Sequence, residues 1–271
     1  GRARRGRAVS GELVAREGRV VLALGRRALS VQFRRAQLLM PTFVLPLMLL
    51  AVITSGTSAG QELRGFPDVT SYLAFIVPGT IVQGTILAGL TAGIALASDI
   101  EFGFFDRLLA APVHRTSLVL GRLCGTLGLS VLQSSFFLAV ALLFGARYPG
   151  GVPGVLATIG LAAITAVGIG GFAAAIALRT GSLSLLQSLF PFMFVFLFTA
   201  PAFFPQELLT PALRDASTYN PLTYVVEAVR GLLAGDSGLG SPWAGLAAAS
   251  GLALATTVLA TVALKERLRA T

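Results

Sequence analysis

Residues 98–122, SDIEFGFFDRLLAAPVHRTSLVLGR, form a charged island between two long apolar runs. On a helical wheel of about 100° per residue, the apolar side chains in the first half of the island share one arc. These side chains are Phe102, Phe105, Leu108 and Leu109. The opposite arc carries Asp99, Asp106 and Arg107, with Gly103 among them. The island therefore predicts an amphipathic helix that lies at a membrane surface between two spanning helices.

The residues around this predicted helix suggest where it ends and what it does. Pro112 should end it, because the proline ring lacks a backbone donor and crowds the preceding turn. Arg115 and Arg122 flank the apolar run that follows. Glu101 falls at the edge of the apolar arc, where a charge is costly unless a partner protein or a lipid head group meets it. We interpret this position of Glu101 as part of a docking surface.

The composition is that of a membrane protein. Of the 271 residues, 55% are hydrophobic and 12% are charged, which is about half the charged fraction usual in soluble domains. Six windows contain no charged residue: 36–61, 69–98, 123–146, 148–178, 180–206 and 237–264. Each is longer than the ~20 residues that a helix needs to cross about 30 Å of hydrocarbon. The sequence thus predicts an all-α, polytopic membrane protein with six transmembrane helices.

The basic residues indicate the orientation. Six crossings place both termini on one side, and seventeen of the 21 Lys and Arg residues lie on that side. Because basic residues favour the cytoplasmic side, we expect both termini in the cytoplasm of a multi-pass protein in the plasma (inner) membrane. The predicted parts are a cytoplasmic segment (1–37), a six-helix transmembrane domain (38–264) and a basic cytoplasmic tail (265–271). No basic patch is interleaved with aromatic residues, so we expect no nucleic-acid partner.

The segment before the first window predicts an amphipathic interfacial helix. Between Ala15 and Gln37, apolar residues alternate with arginines. Long arginine side chains can lie along apolar surface while their charged ends reach anionic head groups. The arginines for which we expect these lipid contacts are Arg26, Arg27, Arg34 and Arg35.

A second informative stretch separates the last two windows. Asn220-Pro221 is typical of an N-cap residue followed by proline at the first helical position. Tyr224, Glu227 and Arg230 follow at intervals of three residues, so we expect one polar stripe in which the two charges pair. The stretch is too polar for another full span. It predicts a helical hairpin in the outer leaflet.

Several kinds of chemistry are missing from the sequence. The single lysine, Lys265, follows Leu264, so there is no phosphate-binding Gly-x-x-x-x-Gly-Lys-Ser/Thr loop. One cysteine, Cys124, and one histidine, His114, supply neither a disulfide framework nor a metal cluster. No carboxylate or histidine interrupts the six windows, which argues against an ion-coupled carrier and an intramembrane enzyme. We therefore expect no enzyme activity, cofactor or metal on this chain, and energy from a partner.

Two stretches resemble ABC-2 type ABC exporter permeases of the drug- or lipid-exporting, daunorubicin-resistance-like kind. The first runs from Asp99 to Arg122 and contains an acid, Phe-Gly, Asp-Arg-Leu-Leu, a small pair, Pro and a basic residue. The second is AFFPQELLTPALRDASTYNPLTYVVEAVRGLL, residues 202–233, with its Phe-Pro, Asn-Pro-Leu-x-Tyr, Glu and Arg. The resemblance extends from about Ala15 to the C-terminus.

The resemblance implies roles for both stretches. The charged island would be the coupling helix between spans two and three, seated in a groove of a separate ATP-binding subunit. Its contact residues would be Asp99, Glu101, Phe102, Phe105, Asp106, Arg107, Pro112 and Arg115. The outer hairpin between spans five and six would close the exit path or touch the departing substrate. Its gate residues would be Asn220, Pro221, Tyr224, Glu227 and Arg230.

The implied function is that of a permease subunit of an ABC exporter. ATP and Mg²⁺ would bind a partner ATPase dimer, and the chain would pair with a second copy of itself or a similar permease. A Phe-rich interior without fixed charge favours a lipophilic drug or lipid-like substrate, and membrane lipids complete the expected partners. The alternative is a non-transporting six-span membrane scaffold or assembly factor.

Overall fold

The computed structural model describes residues 2–34, 36–56, 72–109, 115–235 and 240–270. The regular structure of these residues is helical and includes no strand. Their α-helices are α1 (Arg2–Arg34), α2 (Ala36–Gly56), α3 (Tyr72–Glu101), α4 (Phe104–Leu109), α5 (Arg115–Leu143), α6 (Gly151–Thr180), α7 (Leu183–Phe198), α8 (Pro211–Tyr219), α9 (Pro221–Ala234) and α10 (Pro242–Ala270). The all-α prediction is confirmed.

Four helices are long and apolar enough to cross a membrane: α3, α5, α6 and α10. A fifth crossing is possible if the last part of α1 and α2, which meet at 71°, form one bent span. α7 is apolar but has 16 residues, which make about 24 Å of helix and fall short of the hydrocarbon core. The described residues thus form a multi-pass membrane protein with four to five candidate spans. The count of six stays a prediction.

α3 lies at the centre of the bundle. Of its most apolar 18-residue window, 89% is buried inside the protein, against 22% for α10. α3 packs on α2, α5, α6, α7 and α9, whereas α10 packs mainly on α6 and α9. α3 is therefore surrounded by protein, and α10 presents most of its surface outward, where lipid can cover it.

Close approach between α3 and α6 makes this enclosure possible. A methyl group at Gly89 would lie 2.7 Å from Cβ of Ile169, and one at Gly93 would overlap Ala173 one turn further along α6. Lipid tails give two apolar helices little hydrophobic reason to associate, so close packing at small residues has to hold them together. A larger side chain at either glycine would push α3 and α6 apart.

α1 is covered on one side by protein. Leu24 packs over Gly121 of α5, and Ala28 packs over Gly125 one turn further on. The opposite face of α1 is exposed and carries Arg19, Arg26, Arg27 and Arg34. The helix that the arginine pattern predicts is therefore present, with α5 rather than lipid against its apolar side. Contact of the arginines with head groups stays a prediction, and Arg35 lies outside the described residues.

The two ends of the bundle carry most of its polar contacts. We call the end that contains α4 and the turn between α6 and α7 the α4 end. We call the opposite end, which contains α8, α9 and the turn between α5 and α6, the hairpin end. At the α4 end, charged side chains connect neighbouring helices. The hairpin end encloses the short helix α9 within the bundle.

A cysteine at position 147 tests the predicted orientation. Arg147 is exposed in the turn between α5 and α6, which six spans with internal termini place outside the cell. In a Cys124→Ser background, Arg147→Cys should react with an impermeant maleimide on intact cells. The matched variant Asp106→Cys, exposed on α4, should react only after permeabilisation. The reverse labelling pattern would overturn the orientation.

Candidate functional site

The charged island folds as two helices rather than one. α3 continues to Glu101, the backbone turns at Phe102 and Gly103, and α4 follows. Gly103 has φ +68° with open space around it, a left-handed conformation that glycine adopts without strain. The turn changes the phase of the helical wheel, so Phe102 is 76% exposed while Phe105 is 3% exposed. The predicted single apolar arc is therefore wrong for Phe102.

The last turn of α3 is tied to neighbouring helices. Asp99 forms an ion pair with Arg122 of α5. The exposed Glu101 accepts the backbone N–H of Leu183, the first residue of α7, at 3.2 Å. A carboxylate is favourable at a helix N-terminus because the unpaired N–H groups carry partial positive charge. The carboxylate of Glu101, which falls at the edge of the predicted apolar arc, thus meets a helix end in its own chain. Contact of Glu101 with a partner protein stays a prediction.

α4 is held by its two phenylalanines and presents its charges outward. Phe105 belongs to the hydrophobic core, and the guanidinium of Arg27 in α1 lies over the Phe104 ring, with Cζ 4.3 Å from the centroid. Asp106 and Arg107 are exposed, and neither side chain forms a hydrogen bond or ion pair with another described residue. Of the remaining predicted contact residues, Pro112 and the side chain of Arg115 lie outside what the structure describes.

At the hairpin end, Asn220 joins α8 to α9. Its Oδ1 accepts the N–H of Leu222 at 2.9 Å, and Pro221 is the first residue of α9. Its Nδ2 donates to the carbonyl of Phe196 at 2.7 Å and to the hydroxyl of Thr199 at 2.9 Å. The predicted N-cap and helix start are confirmed. The same side chain also fastens α9 to the end of α7.

Arg230 is buried within the hairpin end, with 8% of its surface exposed. Its Nη2 donates to the carbonyls of Pro201 and Ala202 at 2.6 and 3.0 Å, and its Nε donates to the carbonyl of Phe75 at 3.4 Å. Its Cζ lies 3.9 Å from the centroid of the Phe75 ring, a cation–π distance. Arg230 thus fastens α9 to the start of α3 and to the non-helical segment after α7.

Tyr224, Glu227 and Arg230 do not share one exposed stripe. Tyr224 is exposed and its hydroxyl donates to the carbonyl of Thr218 at 2.9 Å, Glu227 is half-buried, and Arg230 lies in the interior. The stripe prediction is wrong because three residues turn an α-helix by about 300°, which is about 60° short of a full turn. Two such steps place Arg230 about 120° around the helix from Tyr224. Pairing of Glu227 with Arg230 stays a prediction, as does the gate.

The turn between α5 and α6 closes over the end of α9. The N–H of Gly150 donates to the carbonyl of Leu233 at 2.9 Å. A methyl group at Gly150 would overlap the carbonyl of Leu232, so only glycine permits this contact. α9 is therefore held at its start by Asn220, in its middle by Arg230 and at its end by this turn.

Tyr148 ties the same turn back onto α5. Its hydroxyl donates to the carbonyl of Leu138 at 3.0 Å. Burial raises the pKa of Tyr148, because the phenolate would lose its hydration. The hydroxyl therefore keeps its proton throughout the physiological range, and the contact does not respond to pH there.

Sequence reasoning missed the partners of Arg230. Phe75 is separated from Arg230 by 155 positions, and the acceptors are backbone carbonyls, which every residue possesses. The pair Pro201 and Pro205 interrupts the helical pattern and leaves nearby carbonyls without helical partners, but it does not show which donor meets them.

These observations define a polytopic, all-helical membrane protein with a short charged helix at one end and a fastened helical hairpin at the other. Among the described residues, no group of three His, Cys, Asp or Glu side chains is placed to hold a metal ion. The chain belongs to the ABC-2 type transporter family, whose pattern matches residues 19–234. The family resemblance in the two stretches of sequence is confirmed.

Individual relatives agree with this assignment. A protein of Porphyra purpurea named as a transport permease, ycf38, is 30% identical over 210 residues, which cover 77% of this chain and 72% of that protein. The ycf38 protein of Cyanophora paradoxa is 26% identical over 215 residues, covering 79% and 74%. The daunorubicin resistance ABC transporter permease protein DrrB1 of Streptomyces coeruleorubidus is 28% identical over 181 residues, covering 64% and 62%. Membrane subunits of this family are generally not ATPases themselves and typically work with an ATP-binding subunit.

Replacing Arg230 with lysine tests the anchoring of α9. Lysine keeps the charge but has neither the planar fork that reaches several carbonyls nor the face that stacks on Phe75. Arg230→Lys should destabilise the protein by about 2 kcal/mol, seen as a lower melting temperature in detergent. The matched variant Arg214→Lys, exposed on α8, should change stability by less than about 0.5 kcal/mol. Equal melting temperatures for the two variants would contradict the anchor.

Proposed function

We propose that the chain is the transmembrane permease subunit of an ABC exporter and moves a lipophilic drug or lipid-like molecule outward. A separate ATP-binding subunit, acting as a dimer, hydrolyses ATP with Mg²⁺ and drives the movement. The observation that carries the proposal is α4, a short helix that is anchored in the bundle by Phe105 and exposes the charges of Asp106 and Arg107. Membership of the ABC-2 type transporter family supports it.

The contact with the ATP-binding subunit is formed by α4 and the turn before it. Phe102 supplies an exposed aromatic side chain and Arg107 an exposed guanidinium, two residue types that are enriched at protein interfaces. Arg27 links α4 to the exposed face of α1, so this face continues the same surface. The permease lies in the plasma (inner) membrane, and its α4 end faces the cytoplasm. The distribution of basic residues agrees with this orientation.

The substrate path follows α7 and faces a second permease copy. α7 has no charged residue, and Phe192, Val195 and Phe198 are exposed along it. The rings of Phe190, Phe194 and Phe198 follow one another at centroid distances of 5.2 and 6.3 Å. Such a surface offers extensive contacts to an apolar molecule and no charged group to an ion. The printed name of DrrB1 supports a drug-like substrate.

The hairpin end closes the exit from this path. α9 is fixed to the bundle, whereas residues 211–216 of α8 are exposed. Tyr224 joins the two helices through its bond to the carbonyl of Thr218. We assign α8, Tyr224 and Glu227 to the part of the gate that meets the substrate, and Asn220, Pro221 and Arg230 to the part that holds the gate in place.

Removing the α4 charges tests the coupling to an ATPase. The double variant Asp106→Ala, Arg107→Ala should reduce co-purification of the ATP-binding subunit by about tenfold, because both side chains are exposed on α4. Arg147→Ala, which removes an exposed charge at the hairpin end, should leave co-purification unchanged. Full recovery of the subunit with the double variant would contradict the docking surface. A parental chain that binds no ATPase and exports nothing would instead support a scaffold.

Removing Glu227 tests the gate. Glu227→Ala should slow export of a lipophilic dye several-fold while the ATP-binding subunit is recovered in full, because α9 lies at the end of the bundle opposite α4. The control Arg147→Ala removes an exposed charge from the turn between α5 and α6 at the same end of the bundle and should export at the parental rate. Parental export by Glu227→Ala, or loss of the ATP-binding subunit, would exclude Glu227 from the gate.

A further inference from the structure

The last three residues of α3 each contact a different part of the bundle. Asp99 pairs with the arginine of α5 described above. Ile100 is buried and packs on Gly181 in the turn between α6 and α7, where a methyl group would lie 3.2 Å from its Cγ2. Glu101 accepts the N–H of Leu183 at the start of α7. One turn of α3 therefore holds α5, the α6–α7 turn and α7 together.

α4 is joined to this turn by a short connection. The N–H groups of Phe102 and Gly103 donate to the carbonyls of Ser98 and Ile100, both at 3.0 Å, so the two connecting residues are bonded back onto α3. A cavity of about 60 Å³ lies between α1, α3, α4 and α5. Protein interiors are otherwise close-packed, so this cavity leaves α4 free space on its inner side. Because the two connecting residues are bonded to α3, a displacement of α4 acts directly on the last turn of α3.

Glu101 acts on the end of α7 that needs external acceptors. The first N–H groups of a helix have no partner within the helix. In α7, the Ser182 hydroxyl accepts the N–H of Leu185 at 3.3 Å, while Glu101 reaches the N–H of Leu183 from α3. Leu186, one turn further on, is fully buried. A shift of Glu101 therefore acts on a helix that is packed into the core rather than on a loose loop.

We propose that Glu101 is a positioning residue that passes a displacement of α4 to α7. The proposal rests on the proposed function for the source of that displacement, which is the bound ATP-binding subunit. It gives Glu101 a role inside the chain, at the bond to Leu183, in place of a contact with that subunit. Asp99 carries the same displacement to α5. The α6 side of the α6–α7 turn is joined to α10 by the ion pair of Arg179 with Glu266 and by the bond from Arg267 to the carbonyl of Leu178 at 3.2 Å.

Hydrogen–deuterium exchange on the whole chain in lipid nanodiscs, without an ATP-binding subunit, tests the link. Phe105→Ala removes the anchor of α4 and should raise exchange in α4 and in residues 183–186. Glu101→Ala alone should raise exchange of the Leu183 amide by about 3- to 10-fold, the effect of losing one solvent-exposed hydrogen bond of ordinary strength. In the Glu101→Ala background, Phe105→Ala should add nothing further at α7, since non-additive effects mark coupled residues.

Three further variants separate this link from a general weakening of α7. Ser182→Ala removes a cap from the same helix end without touching α3, and in that background Phe105→Ala should still raise exchange at α7. Glu101→Gln keeps an acceptor oxygen and should retain the link. Arg27→Ala removes an exposed side chain that lies over the Phe104 ring. It should therefore displace α4 as Phe105→Ala does, in a chain whose hydrophobic core is intact.

The proposal is overturned if displacing α4 changes exchange at α7 equally with and without Glu101, or leaves α7 unchanged in both. It is also overturned if the effect disappears in the Ser182→Ala background. These outcomes are independent of the proposed function, because no ATP-binding subunit takes part in the measurement. The proposed function fails separately, when the parental chain recovers no such subunit on co-purification.

Discussion

The hydrogen bonds from Arg230 to Pro201 and Ala202 are the interaction on which the hairpin end depends. After α7 the chain leaves helical geometry, and residues 200–203 are buried. A buried carbonyl without a donor costs free energy, and lipid offers no donor in place of water. Arg230 supplies these donors from α9, so the non-helical segment can stay inside the protein. A buried cation, usually a liability, is here what makes an irregular backbone tolerable.

The position of α9 follows from this requirement. The guanidinium of Arg230 must reach both the segment after α7 and the start of α3, so α9 lies between α3, α6 and α10. Close contacts then fix it further, since Gly245 of α10 has no room for a larger side chain beside Ala228. The α4 end is built differently, with one exposed and one partly buried ion pair and a cavity beside α4. One end of the bundle is therefore rigid and self-contained, while the other has room to respond to a partner.

Local signals in the sequence predicted local structure well. Asn220 and Pro221 are a cap and a first helical residue by their own chemistry, and both take these positions. Phe102 was misplaced, because a helical wheel assumes one continuous helix and cannot show the left-handed turn at Gly103. The surroundings of Arg230 could not be predicted either, since its partners are backbone atoms far away in sequence. Long-range packing, rather than residue type, decided these cases.

The outward surface of α10 affects how freely this protein can change in evolution. α10 meets its neighbours through small buried residues such as Ala249, Thr256 and Ala260. The rest of its surface needs only to remain apolar, so one aliphatic residue can replace another there with little loss. Because 22% of its most apolar window is buried, α10 is the candidate span whose outward face accepts the widest choice of apolar side chains.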